Sequence, residues 1–227
     1  MTLDILKNKG LNNVEYLGFK YVVPENIKIE EVNLNKQIDN EIHILHLSGL
    51  NGLFRKRTIN IINIFEKLYQ TDLKFKLNIV IQGNFNIEDV SILNKPFINL
   101  IQNHLSYREI LNLYNKNHLS IQFSKHEGLG LGFYESTFMG TPLITLNAPP
   151  HNEIIHHNKN GFLLSCKVEK DEKPENSYTI IGQTQINDDV ILSELKQILS
   201  DKNKINQVIQ NTRSYSDNIH NIDYSKF

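Results

Sequence analysis

The chain has 227 residues and a formal net charge of −1, a size that fits one large domain or one domain with extensions. Lys and Arg number 24 against 25 Asp and Glu, and this balance argues against nucleic acid as the main partner. The single cysteine, Cys166, excludes a disulfide framework and a multi-cysteine zinc site. No apolar run approaches the roughly 20 residues of a membrane span, and the N-terminal residues do not resemble a signal peptide, so we expect a cytoplasmic setting.

In chain order, residues 1–40 lack clear patterning and are interpreted as a lead-in or linker. Short apolar runs then alternate with segments of helical spacing. The runs, each typical of a buried strand, lie at 42–47, 77–81, 97–101, 119–123, 143–146 and 162–164. The spacing predicts helices at 57–69, after a capping Ser106, at 131–139, at 153–155, at 190–199 (capped by Asp188 or Asp189) and at 203–213. A further strand is possible at 178–181, and 214–227 is a tail.

This alternation predicts an α/β fold with a doubly wound parallel sheet, Rossmann-like, over residues 41–213. Ligands of such sheets bind outside the carboxyl ends of the strands. Three of the predicted ends carry the most distinctive residues of the chain, at 48–49, 83–84 and 124–132. We therefore expect the functional site along that edge.

One segment, from Ser124 to Pro142, carries residues suited to chemistry. Glu127 and Glu135 lie eight residues apart, and glycines occupy positions 128, 130 and 132 between them. Such a turn exposes backbone N–H groups at a helix N-terminus, which is an anion site. Glu135 falls about one turn into the helix, where its carboxylate can accept hydrogen bonds from a vicinal diol such as a ribose. Glu127 lies on the loop and faces whatever is attached to the phosphates.

The segment resembles the E-x7-E motif of retaining glycosyltransferases of the GT-B architecture, and most closely family 4 of that class, the glycosyl transferases group 1. Other blocks resemble the family in the same order. They are the strand and turn at 42–49 with the basic residues 55–57, the strand at 78–83, the helix-strand-Ser run at 106–124, Gly-Thr-Pro at 140–142, the loop at 148–153 and the Asn-Gly turn at 160–161.

The resemblance implies a hexosyltransferase-type enzyme that transfers sugar from a nucleotide-diphosphate donor, most often UDP- or GDP-linked, to an acceptor hydroxyl with retention. It implies no metal and no other cofactor. Glu127 and Lys56 are the implied catalytic residues, and Lys56, with Arg55 and the turn amides, would offset the diphosphate charge. The implied donor-binding residues are Ser48, Gly49, Arg55, Lys56, His126, Glu127, Gly128, Leu129, Gly130, Leu131 and Glu135.

The sequence departs from the family at two places. Leu50 follows Gly49 where the family commonly has Arg, so only Arg55 and Lys56 remain for the diphosphate. The family also has a second Rossmann-like domain, N-terminal to this one, which holds the acceptor, and about 40 residues cannot form it. The chain therefore resembles the donor-binding half alone, and we expect a partner chain or a missing N-terminal acceptor domain. The acceptor itself could be a glycan, a protein or a lipid.

The same residues allow other functions. A non-catalytic nucleotide-sugar-binding or regulatory module, needing a partner acceptor domain, is the alternative function. A Rossmann-type dehydrogenase or epimerase is disfavoured because residues 48–52 do not supply a G-x-G-x-x-G opening. His46 lies inside an apolar run and is expected in the core. His151, His156 and His157 are expected on an exposed loop, which argues against a metal site.

Overall fold

A computed structural model of the chain describes residues 10, 13, 21, 36–49, 52–82, 90–169 and 183–219. Six strands form one parallel sheet; they are β1 Ile42–Leu47, β2 Phe75–Val80, β3 Ile98–Ile101, β4 Leu119–Ile121, β5 Leu143–Leu146 and β6 Gly161–Leu164. Their order is β3-β2-β1-β4-β5-β6, and every pairing is parallel. Two short strands, β7 Lys167–Glu169 and β8 Gln183–Gln185, form a separate antiparallel ribbon. The predicted doubly wound sheet is confirmed.

The helices connect the strands as the apolar spacing predicts. They are α1 Gly52–Arg55, α2 Thr58–Tyr69, α3 Tyr107–Lys116, α4 Leu131–Phe138, α5 His151–Ile154, α6 Asp188–Ser200 and α7 Lys202–Ile219. Ser106 caps α3, as expected, in a capping box with Glu109. Among the described residues, no helix has both the length and the apolar character to cross a membrane.

Helix α1 was not predicted and several helix ends differ from the sequence prediction, two of them for a clear local reason. The cap of α6 is Asn187, not Asp188 or Asp189, because its side-chain oxygen accepts hydrogen bonds from the Asp189 and Val190 backbone N–H groups. Helix α7 continues to Ile219, six residues past the predicted end, since no Gly or Pro interrupts it.

Apolar side chains cover both faces of the sheet. On one face α2, α6 and α7 contribute Ile61, Phe65, Leu195 and Val208 to a large core that also contains residues of every strand in the sheet. On the other face α3 packs Leu111 and Tyr114 against β1 and β2, together with Met139 after α4. Covering both faces explains why the strands are apolar runs without alternation. The loops at the carboxyl ends of the strands do not belong to this packing and can form a site.

Three predicted features are shorter than expected or outside the described residues. The regular strand β4 ends at Ile121, although Gln122 still donates its backbone N–H to Ile144. The strand end at 83–84 and the possible strand at 178–181 lie outside the described residues. The predicted lead-in is described at residues 36–40, where Ile38 is buried and bonds the Asn206 side chain. The domain boundaries remain predictions.

Lys36 is a buried amine in this N-terminal stretch. Its Nζ donates to the Tyr114 carbonyl at 3.2 Å and to Thr141 Oγ1 at 2.8 Å. Burial, with a smaller repulsion from Arg213, lowers the pKa of Lys36 from 10.5 to about 7. Because unfolding restores the ordinary pKa, the unfolded chain binds more protons than the folded one between pH 7 and pH 10.5.

We therefore expect the free energy of unfolding to rise with pH through this window. The Lys36 contribution grows by about 2 kcal/mol between pH 7 and pH 9. Urea denaturation at the two pH values measures it as the difference between wild type and Lys36→Met. The exposed Lys196→Met is the matched control and should keep the wild-type dependence. An equal pH dependence in wild type and Lys36→Met would contradict the account.

Candidate functional site at the strand ends

The site lies where β1 and β4 end side by side. From β1 the chain continues to β2 on one side of the sheet, while β4 and β5 lie on the other, so the winding reverses between β1 and β4. Ligands of open α/β sheets bind at such a switch point. The turn at Ser48 and Gly49 follows β1, and the segment containing Glu127 follows β4. Two of the three predicted strand ends are thus brought together.

Glu127 is held by three donors that converge on one carboxylate oxygen. Its Oε1 accepts from Ser124 Oγ at 2.6 Å, Gln122 Nε2 at 2.7 Å and Arg55 Nη1 at 2.9 Å. Burial alone would raise the pKa of Glu127, but the Ser124 hydrogen bond and the charges of Arg55 and Lys56 together lower it. The carboxylate is therefore ionised and fixed in direction, with only 11% of its side chain exposed.

Arg57 fixes the start of the segment that carries Glu127. Its guanidinium donates to the Phe123 carbonyl at 2.9 Å, to Thr184 Oγ1 at 2.8 Å and to the Thr184 carbonyl. Backbone bonds reinforce this contact, from Lys125 N to the Arg55 carbonyl at 2.8 Å and from Thr184 N to the Lys125 carbonyl at 3.0 Å. Arg57, the residue just before α2, is thus buried and anchors this segment, and it is not a surface charge.

Lys56 lies near enough to both acids to interact with them electrostatically. A Cβ added to Gly49 would stand 3.9 Å from Lys56 Cε, so the lysine stem passes over the turn after β1. Burial lowers the pKa of Lys56, while Glu127 and Glu135 both act to raise it. Both carboxylates therefore attract the same ammonium group, which lies at the sheet edge where the sequence analysis predicts the diphosphate.

Glu135 lies in the second turn of α4, beside the buried Tyr114. Burial raises the pKa of Glu135, and Lys56 and the Tyr114 hydroxyl oppose that rise. The Tyr114 hydroxyl donates its hydrogen bond to the Gly132 carbonyl at 3.2 Å. Tyr114 thus links the acid to the turn that precedes it. Nothing in the local sequence pattern marks Tyr114, because it also fits the apolar spacing of α3.

The Gly-rich turn, residues 128–132, forms the N-terminus of α4. Gly130 is the N-cap with φ 66°, and no side chain caps the helix there. A Cβ at Gly130 would stand 3.0 Å from the Phe133 ring, so both the backbone angle and the space require glycine. Leu129 and Leu131 on either side are exposed. The first amides of α4 are therefore available to an anion.

The other predicted donor residues take different positions. Ser48 is buried, and its hydroxyl contacts Thr58 Oγ1 at 3.1 Å, so only its backbone lines the turn. His126 is exposed, and its carbonyl lies 3.4 Å from Arg55 Nη1. Arg55 itself pairs with Glu127, whereas the sequence interpretation assigned it to the diphosphate. These donor-binding roles remain predictions.

Two histidines are buried, one as expected and one not. His46 bonds the Ile121 carbonyl and Thr58, and burial lowers its pKa to about 4, as a core residue should show. His151 is also fully buried, so the expectation of an exposed loop was wrong for this residue. Its loop packs against α4 instead. Within the described ranges, no group of three His, Cys, Asp or Glu side chains could hold a metal ion.

The fold and this edge define a Rossmann-like α/β domain with a lysine near two acids and a glycine-rich helix N-terminus at the strand ends. The family described as glycosyl transferases group 1 matches residues 51–175, more than half of the chain. The chain belongs to this family, as its motifs indicated. No curated protein matches the chain significantly.

Solved structures share the fold at low sequence identity. The C-terminal domain of a glycosyl transferase group 1 protein, LpcC from Francisella tularensis, is 17% identical with a TM-score of 0.56, over 78% of this chain and 85% of that domain. A mutant of S. aureus TarM, in complex with fondaparinux, alpha-GlcNAc-glycerol and UDP, is 16% identical with a TM-score of 0.64, over 99% and 40% of the two chains. Anabaena HepE, in complex with UDP-glucose, is 15% identical with a TM-score of 0.56, over 81% and 46%.

The matched share of each solved chain differs between whole proteins and the isolated domain. The chain spans less than half the length of TarM and HepE, but most of the isolated LpcC domain. The fold is therefore that of one Rossmann-like half of a GT-B glycosyltransferase, as the sequence predicted.

The Arg57 anchor yields a stability prediction. Arg57→Lys keeps the charge but cannot donate to Phe123 and both Thr184 oxygens at once, so we expect a loss of about 2 kcal/mol of unfolding free energy. Urea denaturation measures it. The exposed Arg108→Lys is the control and should change stability by less than about 0.5 kcal/mol. Equal stability of the two variants would show that Arg57 is no anchor.

Proposed function

We propose that the chain is the donor-binding domain of a retaining glycosyltransferase and holds a nucleotide-diphosphate sugar at the ends of β1 and β4. The observation that carries this proposal is the position of Lys56, half-buried over the turn after β1 and under the electrostatic influence of both Glu127 and Glu135. The site supplies a cation and free amides for a diphosphate, with two acids for hydroxyl groups.

The diphosphate binds over Lys56. A half-buried ammonium group attracts a phosphate more strongly than a fully exposed one, because less water screens the charge. The amides of the Gly-rich turn add the positive end of the α4 dipole. As the bond from the sugar to the diphosphate breaks, negative charge grows on the leaving group, and these fixed groups stabilise it.

The two acids then bind the ends of the donor. Glu135, beside Tyr114, accepts hydrogen bonds from the ribose hydroxyls. Glu127 uses Oε1 for its three protein donors, and the described residues give its Oε2 no hydrogen bond. That second oxygen is directed to the sugar hydroxyls and stabilises the cationic sugar carbon. Arg55 fixes Glu127 in this role.

Hexosyl transfer with retention, and without a metal, is the activity of the whole enzyme. The nucleotide is uridine diphosphate or guanosine diphosphate, and the UDP and UDP-glucose complexes of the structural neighbours favour uridine. The acceptor binds to a second domain or a partner chain, which accords with the share of TarM and HepE that this chain matches. The cytoplasmic setting rests on composition.

A non-catalytic nucleotide-sugar-binding module is the second candidate, favoured by the limited coverage of the neighbours. Both candidates bind the donor, and they differ in turnover. A chain mixed with its acceptor domain that cleaves the donor supports the enzyme, whereas binding with no cleavage supports the module.

Substitution of Glu135 tests the nucleotide half of the site. Glu135→Gln removes the charge with little change of shape, so UDP should bind about 10- to 100-fold more weakly, as expected for the loss of one charged hydrogen bond. Titration calorimetry gives the dissociation constants. The exposed Glu153→Gln is the control. A dissociation constant for UDP equal to that of wild type would remove Glu135 from the nucleotide site.

Substitution of Glu127 tests the sugar half. Glu127→Gln should leave UDP binding within about twofold of wild type but remove the affinity that the glucose group of UDP-glucose adds. The same calorimetry compares the two ligands. If the variant still prefers UDP-glucose to UDP as strongly as wild type does, Glu127 does not bind the sugar.

A further inference from the structure

His151 is a buried side chain with unused hydrogen-bonding capacity. It has no exposed surface, and neither Nδ1 nor Nε2 has a hydrogen-bonding partner of normal geometry among the described residues. Nearly all buried polar groups in proteins are hydrogen-bonded, and an unsatisfied one costs about 1–3 kcal/mol. Because this cost is not offset within the described residues, we look for a ligand that supplies the missing hydrogen bond to the ring.

The position of His151 connects it to the donor site. It begins α5, just beyond the carboxyl end of β5, and β5 is the sheet neighbour of β4. Its ring lies 5.2 Å from the Phe133 ring, centroid to centroid. The same Phe133 ring is what a Cβ at Gly130 would meet at 3.0 Å. His151 is thus separated from the Gly-rich turn by one aromatic ring.

The charge state of His151 limits the group that it can bind. Burial lowers its pKa to about 4, although the Glu127 carboxylate and the Ala148 backbone oppose the shift. The imidazole is therefore neutral at pH 7, with one N–H donor and one nitrogen acceptor. A diphosphate offers only acceptors and favours a cation, whereas a hydroxyl group both donates and accepts. The neutral ring is complementary to a sugar hydroxyl.

We infer that His151 is a further donor-site residue, whose ring nitrogen hydrogen-bonds a hydroxyl of the sugar held by Glu127. This inference rests on the proposed function, because it needs a nucleotide sugar at Glu127. His151 then contributes to the choice of sugar and not to nucleotide affinity. Since the ring has no exposed surface, the Gly-rich turn must shift when the sugar enters.

A buried water could also satisfy the ring nitrogens. A water bound there would stabilise the chain in the same way with or without sugar. The two explanations therefore predict different effects of a His151 variant on the dissociation constants of UDP and UDP-glucose. They also predict different effects on the stability of the chain without ligand.

The test is calorimetric titration of wild type, His151→Phe and His151→Gln with UDP and with UDP-glucose. His151→Phe should leave the UDP dissociation constant unchanged, weaken UDP-glucose about tenfold and not lower the melting temperature of the free chain. His151→Gln should recover part of the UDP-glucose affinity. The exposed His104→Phe is the control and should match wild type.

Other outcomes overturn the inference in distinguishable ways. Equal weakening of UDP and UDP-glucose by His151→Phe, with or without a lower melting temperature, would mean a structural role. Unchanged affinity for both would mean no role at the site. Failure of wild type to bind UDP would overturn the proposed function as well.

If His151→Phe does not fold, the ring nitrogen resonances of His151 in the wild-type chain decide the matter. They should shift on addition of UDP-glucose but not of UDP. Resonances that stay in place with both ligands would overturn the inference.

Discussion

The convergence of three donors on one oxygen of Glu127 is the interaction on which the site depends. A carboxylate removed from water is costly unless hydrogen bonds and opposite charge replace the solvent. Ser124, Gln122 and Arg55 provide that replacement. Arg57 anchors the backbone just before Glu127. Because this segment is fixed, the three donors and the carboxylate are already in contact. The direction of Glu127 is thus set by the fold before any ligand binds.

Lys56 connects this fixed acid to the second one. Its ammonium group is stabilised by Glu127 and Glu135 against the cost of burial, and the two acids are stabilised by it in turn. A bound diphosphate adds negative charge beside two carboxylates, so the site needs positive potential beyond that of Lys56. The uncapped start of α4 provides the additional positive potential that makes this possible. A site of this kind favours anions flanked by hydroxyl groups.

The sequence predicted the features that depend on neighbouring residues. The bounds of β1 and β5 follow from apolar runs, and the start of α3 follows from the capping Ser106. The family and the sheet edge followed from the motif around Glu127 and Glu135. Contacts between distant parts of the chain could not be predicted. The partner of Arg57 is Thr184, 127 residues away, and the burial of His151 depends on packing against α4. Gln122, a polar residue at the end of an apolar run, was the one local signal of the Glu127 cluster.

The most direct test of the central claim is a crystal structure of the chain with UDP-glucose bound. The account predicts a diphosphate oxygen about 3 Å from Lys56 Nζ, the ribose hydroxyls on Glu135 and the glucose on Oε2 of Glu127. Binding of the nucleotide elsewhere on the sheet, with neither acid in contact with the ligand, would contradict it.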